Sequence, residues 1–234
     1  MRVQSFGPQA TLIAGLTMSI FACSRGEPET AYASSSTRSS SEVQSSQSVA
    51  PVKGEALRLV LASSGNVARY RVREQLVGHD LPDDAVGETK SLTGALSIDS
   101  SGKVIRDVSK FTVNAATFVS DRDRRDGYVR GRLLEADTYP TITLVPTSIR
   151  GVGLPLPKSG SAAIEMNADL TVRGVTRPTV WKGTVQFANG GVTGTASTAF
   201  TFDDMQLDQP QVPVLLSVAD TIKLEIDFNL VPQS

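Results

Sequence analysis

The fold is decided by residues 121–149, which read DRDRRDGYVRGRLLEADTYPTITLVPTSI. Six consecutive charged residues open this stretch, and a short amphipathic segment follows at 128–134. Tyr139-Pro140 then precedes a run at 141–149 in which apolar and polar residues alternate. The order predicts one short helix that leads directly into a strand.

Alternation of period two also dominates the chain from Leu57 onwards, most clearly at 222–230, IKLEIDFNL. Turn compositions such as Asn189-Gly190-Gly191 separate the alternating runs. The pattern predicts about eight or nine strands, with loops at 78–87 and 151–160. Each sheet should bury one face and expose the other, which is compatible with either a sandwich or a barrel.

Two motifs in this order resemble the YceI-like family of bacterial lipid-binding barrels. The matching residues are Arg125-Asp126, Tyr139-Pro140, Leu170-Thr171 and the Gly-Val-Thr-Arg-Pro run at 174–178, which we expect to form a turn. The resemblance extends roughly over 56–232. It implies an all-β fold, an antiparallel lipocalin-like β-barrel of about eight strands with one short helix. It also implies that the barrel holds an isoprenoid chain.

Composition excludes several kinds of site. The 234 residues carry 23 basic and 24 acidic side chains, so no net field favours nucleic acid. Cys23 and His79 are the single cysteine and the single histidine. A cysteine-based zinc site, a disulfide framework and a Cys-His catalytic pair all need more than these two residues.

The N-terminal quarter predicts export and anchoring. Residues 1–23 resemble a lipoprotein signal peptide with a lipobox, which would make Cys23 the site of acylation by groups such as palmitate. An ordinary secretory leader with an incidental cysteine is the alternative. Residues 24–50 hold ten serines and predict a disordered linker before a barrel domain at 51–234. We therefore expect a protein of the bacterial cell envelope, lipid-anchored on the extracytoplasmic side of a membrane.

Small residues at inward positions of the predicted strands leave two interpretations of the barrel interior. They are Gly94, Ala115, Ala168, Gly183, Gly194 and Ala196. They either stack into an elongated apolar space or lie opposite large residues in an ordinary core. The family resemblance favours the space. The residues then expected to line the lumen or its mouth are Phe111, Phe118, Tyr128, Trp181, Phe200, Phe202 and Met205.

The charged cluster also has two interpretations. Arginines in and after it could hold a phosphate head group at the mouth of the barrel, and Arg125 and Arg130 are the main candidates. Alternatively, Asp121, Asp123 and Asp126 neutralise these arginines in a surface ion-pair network.

Catalysis finds little support in the sequence. His79 lies in a polar loop without a nucleophile motif nearby, and the acids at 121–123 and 203–204 are adjacent residues of the kind that are usually solvated. No phosphate-binding loop and no metal-ligand spacing occurs. We therefore expect a binding protein without enzymatic activity, cofactor or metal, which carries a polyisoprenoid or other lipid. The alternative is a surface interaction module with a packed barrel.

Overall fold

The structure, a computed structural model, describes residues 54–233. The strands are β1 Glu55–Leu61, β2 Val67–Leu76, β3 Asp83–Thr89, β4 Leu92–Asp99, β5 Lys110–Asn114, β6 Val119–Ser120, β7 Thr141–Arg150, β8 Ser159–Val172, β9 Val175–Ala188, β10 Gly191–Thr201 and β11 Leu215–Pro232. Helix α1, Asp123–Tyr128, continues into a π-helical turn at Val129–Leu133. Short 3₁₀ turns occupy Arg106–Val108, Ala115–Thr117 and Asp203–Met205. In this part of the chain, no helix has the length and apolar character needed to cross a bilayer.

Eight of the strands close into a ring. Their order is β1-β4-β5-β7-β8-β9-β10-β11, and the end of β11 pairs with β1 from Leu59 opposite Pro232 to Leu61 opposite Leu230. All of these pairings are antiparallel. The predicted all-β barrel with one short helix is therefore confirmed.

Three further strands extend the wall at one end of the ring. Strand β11 has 18 residues, and the part before its contact with β1 pairs with β2, for example Leu224 with Tyr70. Strand β2 pairs in turn with β3, and β3 with β6. We call β2, β3 and β6 the extension. It explains why the structure contains more strands than the eight or nine predicted.

Several boundaries differ from the prediction, and the loop expected at 151–160 ends where β8 begins at Ser159. Residues 78–87 were expected to form a loop, but Asp83 to Gly87 belong to β3. The alternation is hidden there because the exposed face carries acids, and Asp84 pairs with Arg71 and Arg73 of β2. The turn expected at 174–178 is also misplaced: the turn residues are Arg173 and Gly174, and Val172 already pairs with Val175.

That tight turn has the backbone geometry of a two-residue hairpin. Arg173 and Gly174 both have positive φ, 46° and 76°, as this class of turn requires. Asn189 and Gly190, with φ of 52° and 77°, form the same kind of turn between β9 and β10, as the sequence predicted. A side chain on Gly174 would lie 3.1 Å from the ring of Tyr139, so the two family motifs meet in space.

The barrel buries two apolar clusters. The larger lies around the helix and the extension and includes Phe118, Val129 and Met205. The smaller lies around Leu59 and Phe187 on the other side of the molecule. The rings of Phe111 and Phe228 pack against both clusters and connect them into one core (both residues belong to the partly buried layer).

Candidate functional site

A cavity of about 690 Å³ opens at the helix end of the barrel. Helix α1 and its π-helical turn form one side, the extension forms another, and the segment 207–215 with the first half of β11 forms a third. Residues of β7, β8 and β10 complete the lining. We call this space the large cavity. Most of its lining is aliphatic or aromatic, and the deep part is built by residues such as Val72, Leu133, Ile142 and Leu224.

The mouth of the large cavity consists of lining residues that are also exposed to solvent. Arg122, Asp123 and Arg124 at the start of α1 form its polar side. Val77 and Val214 form an apolar side, and the N–H of Val77 donates to the carbonyl of Val214 at 3.0 Å. An apolar chain could therefore lie inside while a polar end remains beside the arginines.

Arg125 lies in the wall and is bound by two acids. Its guanidinium pairs with the carboxylates of Glu74 on β2 and Asp121 at the helix start, and only 13% of the side chain is exposed. Burial lowers the pKa of Arg125, but the hydrogen bonds and charges of Glu74 and Asp121 outweigh it and raise that pKa above its usual range. For Arg125, the structure therefore supports the ion-pair interpretation of the charged cluster.

The neighbouring motif residue, Asp126, also has a structural contact. It is buried, and its Oδ1 accepts hydrogen bonds from the backbone N–H of Ser120 at 2.9 Å and from the hydroxyl of Ser120 at 2.6 Å. These bonds hold α1 against β6. Arg130, the other head-group candidate, donates to the carbonyl of Phe118 at 3.3 Å and does not line the cavity.

Tyr70 is a cavity residue that the sequence prediction missed. Its ring lies 5.7 Å from that of Phe118, tilted by 53°, and it covers Gly87, its partner on β3. A Cβ at Gly87 would lie 2.3 Å from the Tyr70 ring. The pKa of Tyr70 is raised to about 12, and burial is the main cause.

The predicted lining residues divide into three groups. Four of them line the large cavity: Phe118, Tyr128, Phe200 and Phe202. Phe111 instead lines a second cavity of about 90 Å³, which is bounded only by apolar residues and which we call the small cavity. Trp181 and Met205 line neither cavity and are fully packed, with exposures of 4% and 0%.

The small inward residues do not create the large cavity. A Cβ at Gly94 would lie 2.5 Å from the ring of Phe111, and one at Gly194 would lie 2.9 Å from the ring of Phe228. At Gly183 the backbone of β10 approaches so closely that a Cβ would lie 1.9 Å from the carbonyl oxygen of Thr195. These glycines accommodate neighbouring rings and strands, and the extension beyond the ring provides the space.

A family model of the YceI-like domain matches residues 64–230. The chain belongs to the YceI-like family. The match covers the helix, the extension and the strands of the ring other than β1, which ends at Leu61.

Solved structures share the fold of this YceI-like domain at low sequence identity. A polyisoprenoid binding domain from Saccharophagus degradans, implicated in plant cell wall breakdown, is similar with a TM-score of 0.56 and 14% identity, over 76% of this chain and 99% of that one. BcnA from Burkholderia cenocepacia is similar with a TM-score of 0.51 and 15% identity, over 70% of this chain and 95% of that one. No curated protein sequence matches the chain.

Of the acids and the histidine considered for catalysis, Asp204 holds a structural position in this YceI-like domain. Asp204 accepts from the N–H of Thr201 at 2.7 Å, and the hydrogen bonds from Thr201 lower the pKa of this carboxyl. His79 is exposed at the mouth of the large cavity. Within residues 54–233, no three acidic, histidine or cysteine side chains lie together as a metal site would require.

Proposed function

We propose that this YceI-like domain binds an apolar ligand, a polyisoprenoid or another lipid, in the large cavity. The observation that carries the proposal is the cavity itself, about 690 Å³ with a mainly apolar lining. Sites for small ligands typically measure about 300–1,000 Å³ and combine apolar walls with a few polar groups. The fold shared with a polyisoprenoid binding domain supports the same ligand class.

The walls would bind the chain and the mouth would bind its end. Each methylene group buried against residues such as Val72 and Leu224 contributes about 0.8 kcal/mol. Arg122 and Arg124 would face a phosphate or other anionic end at the mouth. Arg125 is engaged by Glu74 and Asp121, so its role is to position the helix that carries the other two arginines.

Binding without catalysis is the function we propose, because three of the acids at or near the cavity are used in structural contacts. Asp121 and Glu74 pair with Arg125, and Asp126 binds Ser120. A packed barrel that serves only as an interaction module is the competing account. It requires a filled interior, and the packing at Gly94 and Gly194 supports it only for the half of the barrel that holds the small cavity.

Native mass spectrometry tests the proposal. The full chain, made as Cys23→Ser to avoid lipidation, is purified without detergent and then exposed to a polyprenol or to a fatty acid. A discrete added mass that organic extraction identifies as a lipid supports binding. A clean apo mass that takes up neither polyprenol nor fatty acid would favour the packed interaction module.

We further propose that the domain is tethered to a membrane of the bacterial cell envelope, on the extracytoplasmic side. This rests on the lipobox-like sequence ending at Cys23 and on the serine-rich segment 24–50, both of which lie outside the described residues. Metabolic labelling with an alkyne analogue of palmitate should mark the natural chain. The Cys23→Ser chain should remain unlabelled, and equal labelling of both would refute the tether.

A further inference from the structure

The large and small cavities follow one another along the same strands. On β7, Ile142 lines the large cavity and Leu144, the next inward residue, lines the small one. On β11, Leu224 and Ile226 divide in the same way. The two cavities therefore lie in line inside one barrel. A ligand chain that enters from the mouth must pass the residues between the two cavities to reach the small one.

A packed layer separates them on the β8–β9 side. On β8, Val172 lines the large cavity and Met166 the small one, whereas Ala168 and Leu170 between them line neither and are each 2% exposed. Trp181 on β9 is opposite Met166 and also lines neither cavity. We call Ala168, Leu170 and Trp181 the plug.

Hydrogen bonds fix the largest member of the plug in place. The indole N–H of Trp181 donates to the hydroxyl of Thr179 at 3.0 Å, and that hydroxyl donates to the carbonyl of Ala168 at 2.9 Å. All polar atoms of this buried group are thus paired across β8 and β9. Because the hydroxyl of Thr179 links the indole to the backbone of β8, the indole is a rigid floor and not a side chain that swings aside for a ligand.

The volume above the plug corresponds to a limited number of carbon atoms. A dry cavity of about 150 Å³ binds benzene and a water molecule takes about 30 Å³ of liquid, so each carbon needs roughly 25–30 Å³. At that density the 690 Å³ of the large cavity accommodates about 20 to 30 carbons, or four to six isoprene units. The 90 Å³ beyond the plug would add about three or four carbons.

We infer that the plug sets the chain length that this protein selects: prenyl or acyl chains of about 20 to 30 carbons fill the site, and further units remain outside in water. This inference rests on the proposed function and adds a floor to the site. Each carbon that enters the cavity tightens binding about fourfold, whereas a carbon that stays outside contributes almost nothing.

A series of polyprenols with three to eight isoprene units tests the inference on the full Cys23→Ser chain, with bound fractions measured by native mass spectrometry. Affinity should rise steeply to about four to six units and then stay level. Trp181→Leu and Leu170→Ala remove bulk from the plug, and each should move the break by about one isoprene unit towards longer chains.

Phe187→Leu is the matched control, because it removes as many carbon atoms as Leu170→Ala, from β9 on the far side of the plug, and should leave the break where it is. Circular dichroism and thermal melts confirm which variants fold. Affinity that keeps rising through eight units in the parent chain would overturn the inference, as would a break that no folded plug variant moves. Failure of every polyprenol to bind would instead overturn the proposed function.

Discussion

Arg125 and Glu74 form an ion pair between α1 and β2, and their side chains are only 13% and 10% exposed. The pair joins two walls of the large cavity, the helix and the extension. Asp121 binds the same guanidinium from the start of the helix. The position of the helix, and with it the shape of the cavity, thus depends on a nearly buried arginine.

Removal of Arg125 should destabilise the fold. Arg125→Met leaves Glu74 buried without its partner, and breaking such a pair costs about 3–5 kcal/mol. The double variant Arg125→Met/Glu74→Leu should recover much of that loss, because no charge remains buried. Urea unfolding measures the unfolding free energy of the single and the double variant. Arg124→Met is the control and should change the unfolding free energy by less than about 0.5 kcal/mol, since Arg124 is exposed.

The competing role for Arg125, direct contact with a ligand head group, gives a different result. In that case Arg125→Met would reduce the affinity for an anionic lipid and leave the stability of the apo protein unchanged.

Tyr70 should make the protein sensitive to alkali. Its pKa is raised to about 12, mainly by burial, so above pH 10 the unfolded chain releases this proton while the folded chain retains it. The fold therefore keeps its full stability below pH 10. Between pH 10 and about 12 its unfolding free energy falls by about 2–3 kcal/mol. Absorbance titration near 295 nm should show a late transition that Tyr70→Phe removes. A titration curve that Tyr70→Phe leaves unchanged above pH 10 would contradict the burial of Tyr70.

Gly183 should tolerate no side chain. A Cβ there would lie 1.9 Å from the carbonyl oxygen of Thr195, so Gly183→Ala must push β9 and β10 apart and should cost more than about 3 kcal/mol. Gly127→Ala is the matched control, since nothing lies within 4 Å and the position is helical. It should be neutral or stabilise by up to about 1 kcal/mol. Equal thermal stability of the two variants would contradict the close approach of the strands.

The arginines of the mouth should select for an anionic end group. Arg122→Gln and Arg124→Gln should each weaken binding of a prenyl phosphate about fivefold, equivalent to about 1 kcal/mol, and leave binding of the corresponding alcohol unchanged. Arg150→Gln, on an exposed residue of β7, should affect neither ligand. Isothermal titration at two salt concentrations distinguishes a loss of head-group recognition from a general loss of binding. If all three variants weaken both ligands alike, head-group recognition does not occur at this mouth.

The features that could be predicted from sequence depend on local pattern. Residues 189–191 form a hairpin turn because asparagine and glycine accept positive φ, and 222–230 alternate because both strand partners bury the same face. One short helix was predicted after the charged cluster; α1 instead begins inside the cluster at Asp123, and its π-helical turn at Val129–Leu133 occupies the predicted amphipathic segment.

The features that were missed depend on contacts between distant residues. Strand β3 was hidden because Asp84 is neutralised by Arg71 and Arg73, which lie more than ten residues earlier. Gly94 and Gly194 were expected to leave apolar space inside the barrel, but the rings of their strand partners, Phe111 and Phe228, fill that space. Such pairs become visible only once the strand register is known, and the extension that encloses the cavity depends on the same register.

The most direct test of the central claim is photolabelling with a lipid that carries a diazirine in the middle of its chain, followed by mapping of the labelled peptides by mass spectrometry. The account predicts labels on β2 around Val72 and on the π-helical turn around Leu133, both inside the large cavity. Excess unlabelled polyprenol should prevent this labelling. Labels confined to exposed apolar residues on the outer surface, such as Val180 on β9, would show that the lipid binds elsewhere and would contradict the account.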